Sequence, residues 1–399
     1  MQSSNGQGAP RWSRQAKVLT AVVLVVLLGA TAALVASRHS RQLLALGGSP
    51  ALAGQTATAQ SADSQTSTTG TTTTTAPPLP RVVSFVPSPG ATNVELTATA
   101  QVVLSAAPEP GAPMPSLAPP VPGQWSEQGT TFTFTPSQPY VPWSTEHIVV
   151  PPTLATGGSA TFSVQGVSML RVQQLLAELH YLPLRFGPSP NQSALADEAQ
   201  VASQVSPFAA AGEFTWRFPN IPATLSALWV PGEPNVITQG AVMAFEADHG
   251  LTVDGLAGPV VWHALTVAVA ERQLSTQPYD YLTVSESLPE RLVVWQDGRD
   301  VYSAPANTGV PGAQTPLGTW PVYERFATTT MVGTDPNGYH YHVTGVPWVA
   351  YFYEGDAVHG YWRASYGWPQ SNGCVELPVA DARVVWTMDP IGALVTVTN

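Results

Sequence analysis

The chain of 399 residues carries 15 Lys and Arg against 26 Asp and Glu, a formal net charge of −11, and a single cysteine. All of the acidic residues follow Ala62, whereas five of the basic residues lie within positions 1–41. The remainder is therefore strongly acidic and repels a phosphate backbone, which excludes nucleic acid as a partner.

In chain order, the first expected element is a membrane anchor over 17–37. The run from Val18 to Ser37 is uncharged, and twenty residues at about 1.5 Å each reach roughly 30 Å, enough to cross a bilayer. Arg11, Arg14 and Lys17 precede it, so residues 1–16 are expected to stay in the cytoplasm, with the rest of a single-pass protein outside the cell membrane. A cleaved signal peptide is the competing reading, but the apolar run is long for one and no small-x-small site follows it. Residues 38–80, rich in Ala, Gly, Ser and Thr and ending in a threonine run before Pro77-Pro78, read as an extended linker without a core.

Short alternating runs follow in 81–165: Val82–Val86, Gln101–Leu104, Thr131–Thr135 and His147–Val150, separated by Pro and Gly clusters. They predict a small antiparallel β-sandwich. With Pro87-Ser88-Pro89-Gly90-Ala91-Thr92-Asn93-Val94 and Gly123-Gln124-Trp125, this region resembles bacterial immunoglobulin-like domains and reads as a spacer.

Over 166–268 the periodicity becomes helical. Val172, Leu175, Leu176 and Leu179 recur at i, i+3, i+4 and i+7, as do Val261, Ala264, Leu265 and Ala268, and Pro259 suits a first helical turn. Leu170-Arg171-Val172-Gln173-Gln174-Leu175-Leu176, Gly240-Ala241-Val242-Met243-Ala244-Phe245-Glu246 and Gly250-Leu251-Thr252-Val253-Asp254-Gly255-Leu256-Ala257-Gly258-Pro259 resemble the peptidoglycan-binding helical module, with Glu246 where that module usually has glutamine. An insertion near 184–235 separates the two matching halves. Its aromatics, among them Phe214, Trp216, Phe218 and Trp229, can stack on a sugar face or form a private core.

From Tyr281 the pattern returns to strands, and Asp297-Gly298 is a hairpin signal. The series continues through Thr315-Pro316-Leu317-Gly318-Thr319-Trp320, Val346–Phe352 and Val358-His359-Gly360, and ends at Ser371-Asn372-Gly373-Cys374-Val375-Glu376-Leu377. A lone cysteine is commonly a small buried apolar residue. In an exported chain, however, an unpaired exposed thiol is a liability unless it is used, and its setting here is small and polar. A thiol is strongly nucleophilic as the thiolate, and a nearby imidazole can hold it so; His359 lies 15 residues upstream.

These four motifs, in this order over 281–399, resemble the L,D-transpeptidase catalytic domain. The resemblance implies a mostly-β domain with Cys374 as nucleophile, His359 as base and acid, Ser371 orienting the loop or the histidine, and the N–H groups of Gly373 and Cys374 as oxyanion donors. It further implies attack on the amide between a diamino acid's L-centre and the terminal D-Ala of a peptidoglycan stem tetrapeptide. The acyl group then passes from sulfur to an amine on a second stem, forming a cross-link. Two positions depart from the family pattern. Asn372 replaces a second histidine, and Glu376 replaces the usual arginine, where an acid would disfavour a substrate carboxylate.

Around this centre, Tyr341, His342, Trp348, Gly360 and Glu376 are the candidate substrate-binding residues. His340 and His342 stand at i, i+2 with no third ligand near in sequence, so no metal and no cofactor is expected. The whole reads as a multidomain chain: transmembrane helix, Ig-like β-sandwich, small α-helical peptidoglycan-binding domain and mostly-β catalytic domain. Its expected partners are peptidoglycan stem peptides and glycan, the lipid bilayer through the N-terminal helix, and a carbapenem β-lactam as covalent inhibitor. Two other functions stay open: an L,D-carboxypeptidase that uses the same residues with water as acceptor, and a wall-binding scaffold whose catalytic domain is degenerate.

Overall fold

The computed structural model describes residues 78–189 and 205–399. The expected cytoplasmic tail, the anchor over 17–37 and nearly all of the linker lie outside the described residues. Among the described residues no helix is long and apolar enough to cross a membrane. Ala76–Asn399 pack as one unit.

The alternating runs form two four-stranded sheets. One holds β1 (Val82–Val86), β3 (Ala100–Leu104), β6 (Thr131–Pro136) and β5 (Gly123–Gln128), in that order. The other holds β2 (Ala91–Val94), β8 (Ser159–Val164), β7 (Thr145–Val149) and β4 (Ser116–Ala118). Alternate residues such as Val102, Phe132, Phe134, Ile148 and Phe162 face inward and fill a common core, as period-2 patterning requires.

The helical stretch builds α1 (Met169–Glu178), a two-stranded hairpin of β9 (Leu184–Pro188) and β10 (Gly212–Trp216), α2 (Ala223–Ser226), α3 (Val236–Asp248) and α4 (Pro259–Glu271). Side-chain caps set two of these starts: Ser168 accepts the Arg171 N–H and Asn235 the Thr238 N–H. Pro259 opens α4. The α1 stripe of Val172, Leu175 and Leu176 is buried. Two neighbouring glutamines on α1 pin the inserted segment. Gln173 donates to Val230 O, Glu233 O and Thr238 Oγ1 and accepts from the Gly232 N–H, while Gln174 exchanges a pair of hydrogen bonds with Ala210.

The last segment is a two-sheet β structure. A five-stranded sheet runs β13 (Arg299–Pro305), β12 (Arg291–Gln296), β11 (Asp280–Ser285), β19 (Leu394–Thr398), β14 (Gly318–Pro321). The four-stranded sheet runs β15 (Glu324–Thr334), β16 (His340–Tyr353), β17 (Asp356–Gly360), β18 (Val375–Leu377). Leu282, Val284, Leu292, Val294, Val395 and Val397 of the first meet Ala350, Phe352, Val358, Val375 and Leu377 of the second, and α5 (Val379–Val385) adds Ala382 and Val385.

The outward face of the five-stranded sheet belongs to the helical region. Tyr281 (0 % exposed), Trp295 (3 %) and Leu394 (1 %) sit in the core of that region rather than in their own. Helix α3 meets the β19 approach so closely that a Cβ on Gly240 would lie 2.5 Å from Gly392 O, and one on Gly392 would lie 2.2 Å from Gly240 O. Glycine at both positions is a steric requirement of this contact. The insertion also docks here. Phe218 packs edge-on to Trp295, Trp295 Nε1 donates to Asn220 O, and Tyr281 Oη shares hydrogen bonds with Thr224 Oγ1 and Thr396 Oγ1, one as donor and one as acceptor. Phe214 packs against Phe186 and Trp229. The inserted aromatics are thus core and inter-sheet packing, not an open sugar platform.

Candidate active site

Strands β17 and β18 run parallel, with Val358 opposite Val375 and His359 opposite Glu376. Both valines point into the core. Since side chains alternate, Ala357, His359, Cys374 and Glu376 share the outward face. The same register sets His359 one strand across and two residues along from Cys374, roughly 8 Å between Cα atoms from ordinary strand spacing and rise. The nucleophile candidate and the histidine thus share one surface because of a pairing between segments 15 residues apart in sequence.

The loop before the thiol is held by hydrogen bonds. Ser371 Oγ donates to Cys374 O at 2.5 Å and accepts the Gly373 N–H at 3.2 Å. Thr315 Oγ1 accepts the Gly309 N–H at 2.9 Å and donates to Gly373 O at 2.7 Å. Behind it, the buried Glu290 carboxylate takes the Thr308 N–H (2.6 Å) and hydroxyl (2.7 Å), while Thr308 O accepts the N–H groups of Gln370 and Ser371. Asn307 exchanges two backbone hydrogen bonds with Glu376, which ties the 306–309 segment to β18.

Cys374 keeps partial exposure and rests on an apolar floor of Val346, Val349 and Ala357, bordered by Met331, Val343 and Tyr351. Burial pushes the thiol up to about 12; the Ala357 N–H pulls the other way, and the charges of Asp356 and Glu376 add to the rise. The sulfur lies 4.0 Å from Gly355 O. His359 is buried and its imidazole is pushed below the ordinary value, chiefly by that burial. Its Nδ1 is 3.1 Å from Gly360 O. A carbonyl can only accept, so Nδ1 carries the proton and Nε2 keeps a free lone pair.

No hydrogen bond joins the thiol to the imidazole. Both shifts favour the neutral forms of these groups over a thiolate–imidazolium pair.

The other expected site residues divide. Tyr341 lies on the thiol side, and burial followed by the Cys374 charge raises its pKa. His342 does not: it pairs with Val332 on the opposite, exposed face of the β15–β16 ribbon, while Tyr341 and Val343 take the thiol side. Trp348 faces the core side, against Trp386 and under Arg383. Gly360 supplies the carbonyl to His359 and packs on α5 rather than into a groove. Asn372 is exposed. The Gly373 N–H is turned to Ser371 Oγ, so of the two expected oxyanion donors only that of Cys374 remains a candidate. Glu376 is no free acid. Arg363 clamps it with two hydrogen bonds, Nε to Oε2 at 2.8 Å and Nη2 to Oε1 at 2.7 Å, and it is 5 % exposed.

Sequence reasoning did not assign roles to Glu290, Asn307, Thr308, Asp356 or Arg363. Only Thr315 stood inside a recognised motif. The rest lie in loops whose partners are far along the chain. Among the described residues no group of three or more His, Cys, Asp or Glu could hold a metal ion. In the helical region, a groove of about 510 Å³ opens between Asn235, Val242, Gly255 and Leu256.

The profile of the YkuD family, the L,D-transpeptidase catalytic domain, matches residues 280–397. No curated protein matches the chain significantly. Among solved structures, an L,D-transpeptidase from Mycobacterium smegmatis is similar at 14% identity, covering 80% of this chain and 99% of its own, with a TM-score of 0.28. L,D-transpeptidase 3 from Mycobacterium tuberculosis, solved with a faropenem-derived adduct, is similar at 15% identity over 80% of this chain and 98% of its own, TM-score 0.28. The catalytic domain of the E. faecium L,D-transpeptidase acylated by ertapenem is similar at 22% identity over 31% of this chain and 100% of its own, TM-score 0.28.

Proposed function

Starting from an L,D-transpeptidase catalytic domain at residues 280–397, we propose that the protein is a cell-wall acyltransferase that forms peptidoglycan cross-links through a thioester on Cys374. The observation that carries this reading is the parallel β17–β18 pairing, which sets the chain's one thiol and an imidazole whose burial favours its neutral form on the same outward face.

The chemistry follows from that pair. His359 Nε2 takes the thiol proton as sulfur adds to the carbonyl joining the diamino acid to the terminal D-Ala. The tetrahedral oxyanion is held by the Cys374 N–H. Collapse breaks the C–N bond, and the imidazolium gives its proton to the departing D-Ala nitrogen. An amine on a second stem then attacks the thioester, and the thiol is restored. Desolvation of the thiol suits this scheme, because sulfur is charged only while the substrate and His359 share its proton. Water in place of the amine gives a carboxypeptidase.

The remaining assignments have other supports. The helical groove near Leu256 is the candidate wall-binding surface, since it is open and Leu256 is exposed. The uncharged run from Val18 to Ser37 supports a single-pass anchor, with the catalytic domain on the wall side of the membrane. A carbapenem is the covalent inhibitor this reading calls for, because a strained lactam carbonyl presents the same electrophile as the scissile amide.

The test uses full-length protein, a stem tetrapeptide and an amine acceptor. Intact mass should rise by the acyl group with loss of D-Ala, and a cross-linked product should form when acceptor is added. A wild-type protein that is folded and takes up no acyl group from the peptide would overturn this reading.

A further inference from the structure

Asp356, the first residue of β17, lies against the loop that carries Cys374 and fills a space that glycine leaves open. A Cβ on Gly373 would lie 2.3 Å from Asp356 Oδ1, 2.9 Å from its Cγ and 3.1 Å from Oδ2. Gly373 also has φ +116°, a conformation that disfavours any side chain. The residue immediately before the nucleophile thus has no side chain where a carboxylate sits.

That carboxylate has no counter-charge. It takes part in no hydrogen bond or ion pair with another described residue. The groups that face it are Cys374, Tyr323, Tyr341 and Glu354, all neutral or acidic. The guanidinium of Arg363 is engaged by both oxygens of Glu376. Burial, and then Glu354, raise the Asp356 carboxyl to about 6. Asp356 in turn raises the thiol, so it hinders the first half-reaction.

A charge that opposes formation of the thiolate is better matched to the second half-reaction. Once sulfur is acylated it no longer carries a charge for Asp356 to repel. The incoming acceptor is then an amine, a cation at neutral pH. We propose, on the basis of the function given above, that Asp356 binds the primary ammonium of the acceptor stem's diamino side chain beside the thioester and so directs the acyl-enzyme to aminolysis over hydrolysis.

In this step the ammonium donates one proton to the Asp356 carboxylate and its nitrogen, now neutral, adds to the thioester carbon. The C–S bond breaks with its electron pair going to sulfur. The second proton of the new amide nitrogen passes through His359 to the thiolate. Asp356 then returns its proton to solvent, and no oxidant or other reactant is needed.

The experiment compares full-length wild type with Asp356→Asn, Asp356→Ala and Asp356→Glu. Each is acylated by a stem tetrapeptide and chased with Nα-acetyl-lysine at rising concentration, and mass spectrometry gives the ratio of aminolysed to hydrolysed product. Asp356→Asn and Asp356→Ala should lower that ratio at least ten-fold at a fixed subsaturating acceptor concentration, with partial recovery in Asp356→Glu. The pH midpoint for iodoacetamide alkylation of Cys374 should also fall in both uncharged variants, because a like charge beside the thiol is gone. An acyl-enzyme that partitions equally in wild type and Asp356→Asn would overturn this inference alone. A folded wild type that forms no acyl-enzyme would overturn the transpeptidase reading and this inference with it.

Discussion

The two sheets of the catalytic region have outward faces with opposite fates. On the five-stranded sheet that face carries Tyr281, Trp295 and Leu394 and is sealed by α3 and the inserted segment. On the four-stranded sheet it carries Ala357, His359, Cys374 and Glu376, of which Cys374 alone keeps partial exposure. Both sheets are built by the same alternation around a shared core. What separates them is the chemistry of the outward residues: large apolar groups call for cover, whereas small and polar ones leave a surface on which a substrate can be seated. The helical region thus supports the catalytic sheet from behind, in addition to any wall-binding role.

The largest expected effect is at the open face. Cys374→Ala should lower turnover of a stem peptide by several orders of magnitude, since binding and a backbone donor alone would remain. Product release from the peptide measures it directly, and near-wild-type turnover would show that the open face is not where the chemistry happens.

Next comes the sealed face. Burying each of Tyr281, Trp295 and Leu394 is worth roughly 2 kcal/mol, so removing residues 166–268 should cost about 6 kcal/mol, a large part of a domain's usual 5–15 kcal/mol. The isolated 281–399 segment is therefore expected to fold poorly and lose turnover, rather than merely lose its grip on the wall. A milder probe is Trp295→Ala, expected to cost about 3–5 kcal/mol and to lower the melting temperature without touching the thiol face. Equal thermal stability of the isolated segment and the full chain would remove the contrast between the faces.

A smaller effect tests the ion pair on the open face. Glu376→Arg sets two guanidinium groups against each other in place of the Arg363 clamp. It should cost up to about 3 kcal/mol, with partial exposure of Arg363 limiting the loss. Carbapenem acylation of Cys374, followed by intact mass, should be slower in this variant. Faster acylation would mean that the clamp does not neutralise Glu376.

A further effect is a pH dependence of the sealed side. Burial raises Glu246 from its ordinary 4.5 to about 7, and Asp280 from 3.8 to about 7. The folded state therefore holds these protons where the unfolded chain has lost them. Their contribution is fully present below the unfolded values and is lost as pH rises through about 7. Melting temperature should accordingly be higher near about pH 5 than near about pH 8, and Glu246→Gln with Asp280→Asn should flatten the difference. An unchanged slope in the double variant would assign the dependence elsewhere.

How much of this was legible beforehand can be followed residue by residue. The α1 and α4 stripes and the strand alternation around Phe132, Leu282 and Val358 could be read directly, because helical and extended periodicities leave a local trace. Cys374 and His359 were legible as a pair through the motifs around them. His342 and Trp348 were misassigned, because which face a residue takes depends on strand register and on bulges such as the one between Thr329 and Met331. Glu376 looked like an exposed acid because its partner Arg363 stands 13 residues away, across a loop without periodicity.

By itself, then, the amino-acid order determined the acidic charge, the sequence of elements, the inward stripes and the position of the one thiol. All of these depend on residue type and on spacings of a few positions. Tertiary structure alone decided the burial that favours neutral Cys374 and His359, the pairing of Arg363 with Glu376, the carboxylate of Asp356 over Gly373 and the sealing of Tyr281 and Trp295 by the insertion. Each of these comes from desolvation or contact between segments distant in the chain, and such terms are set only once the surrounding groups have excluded water.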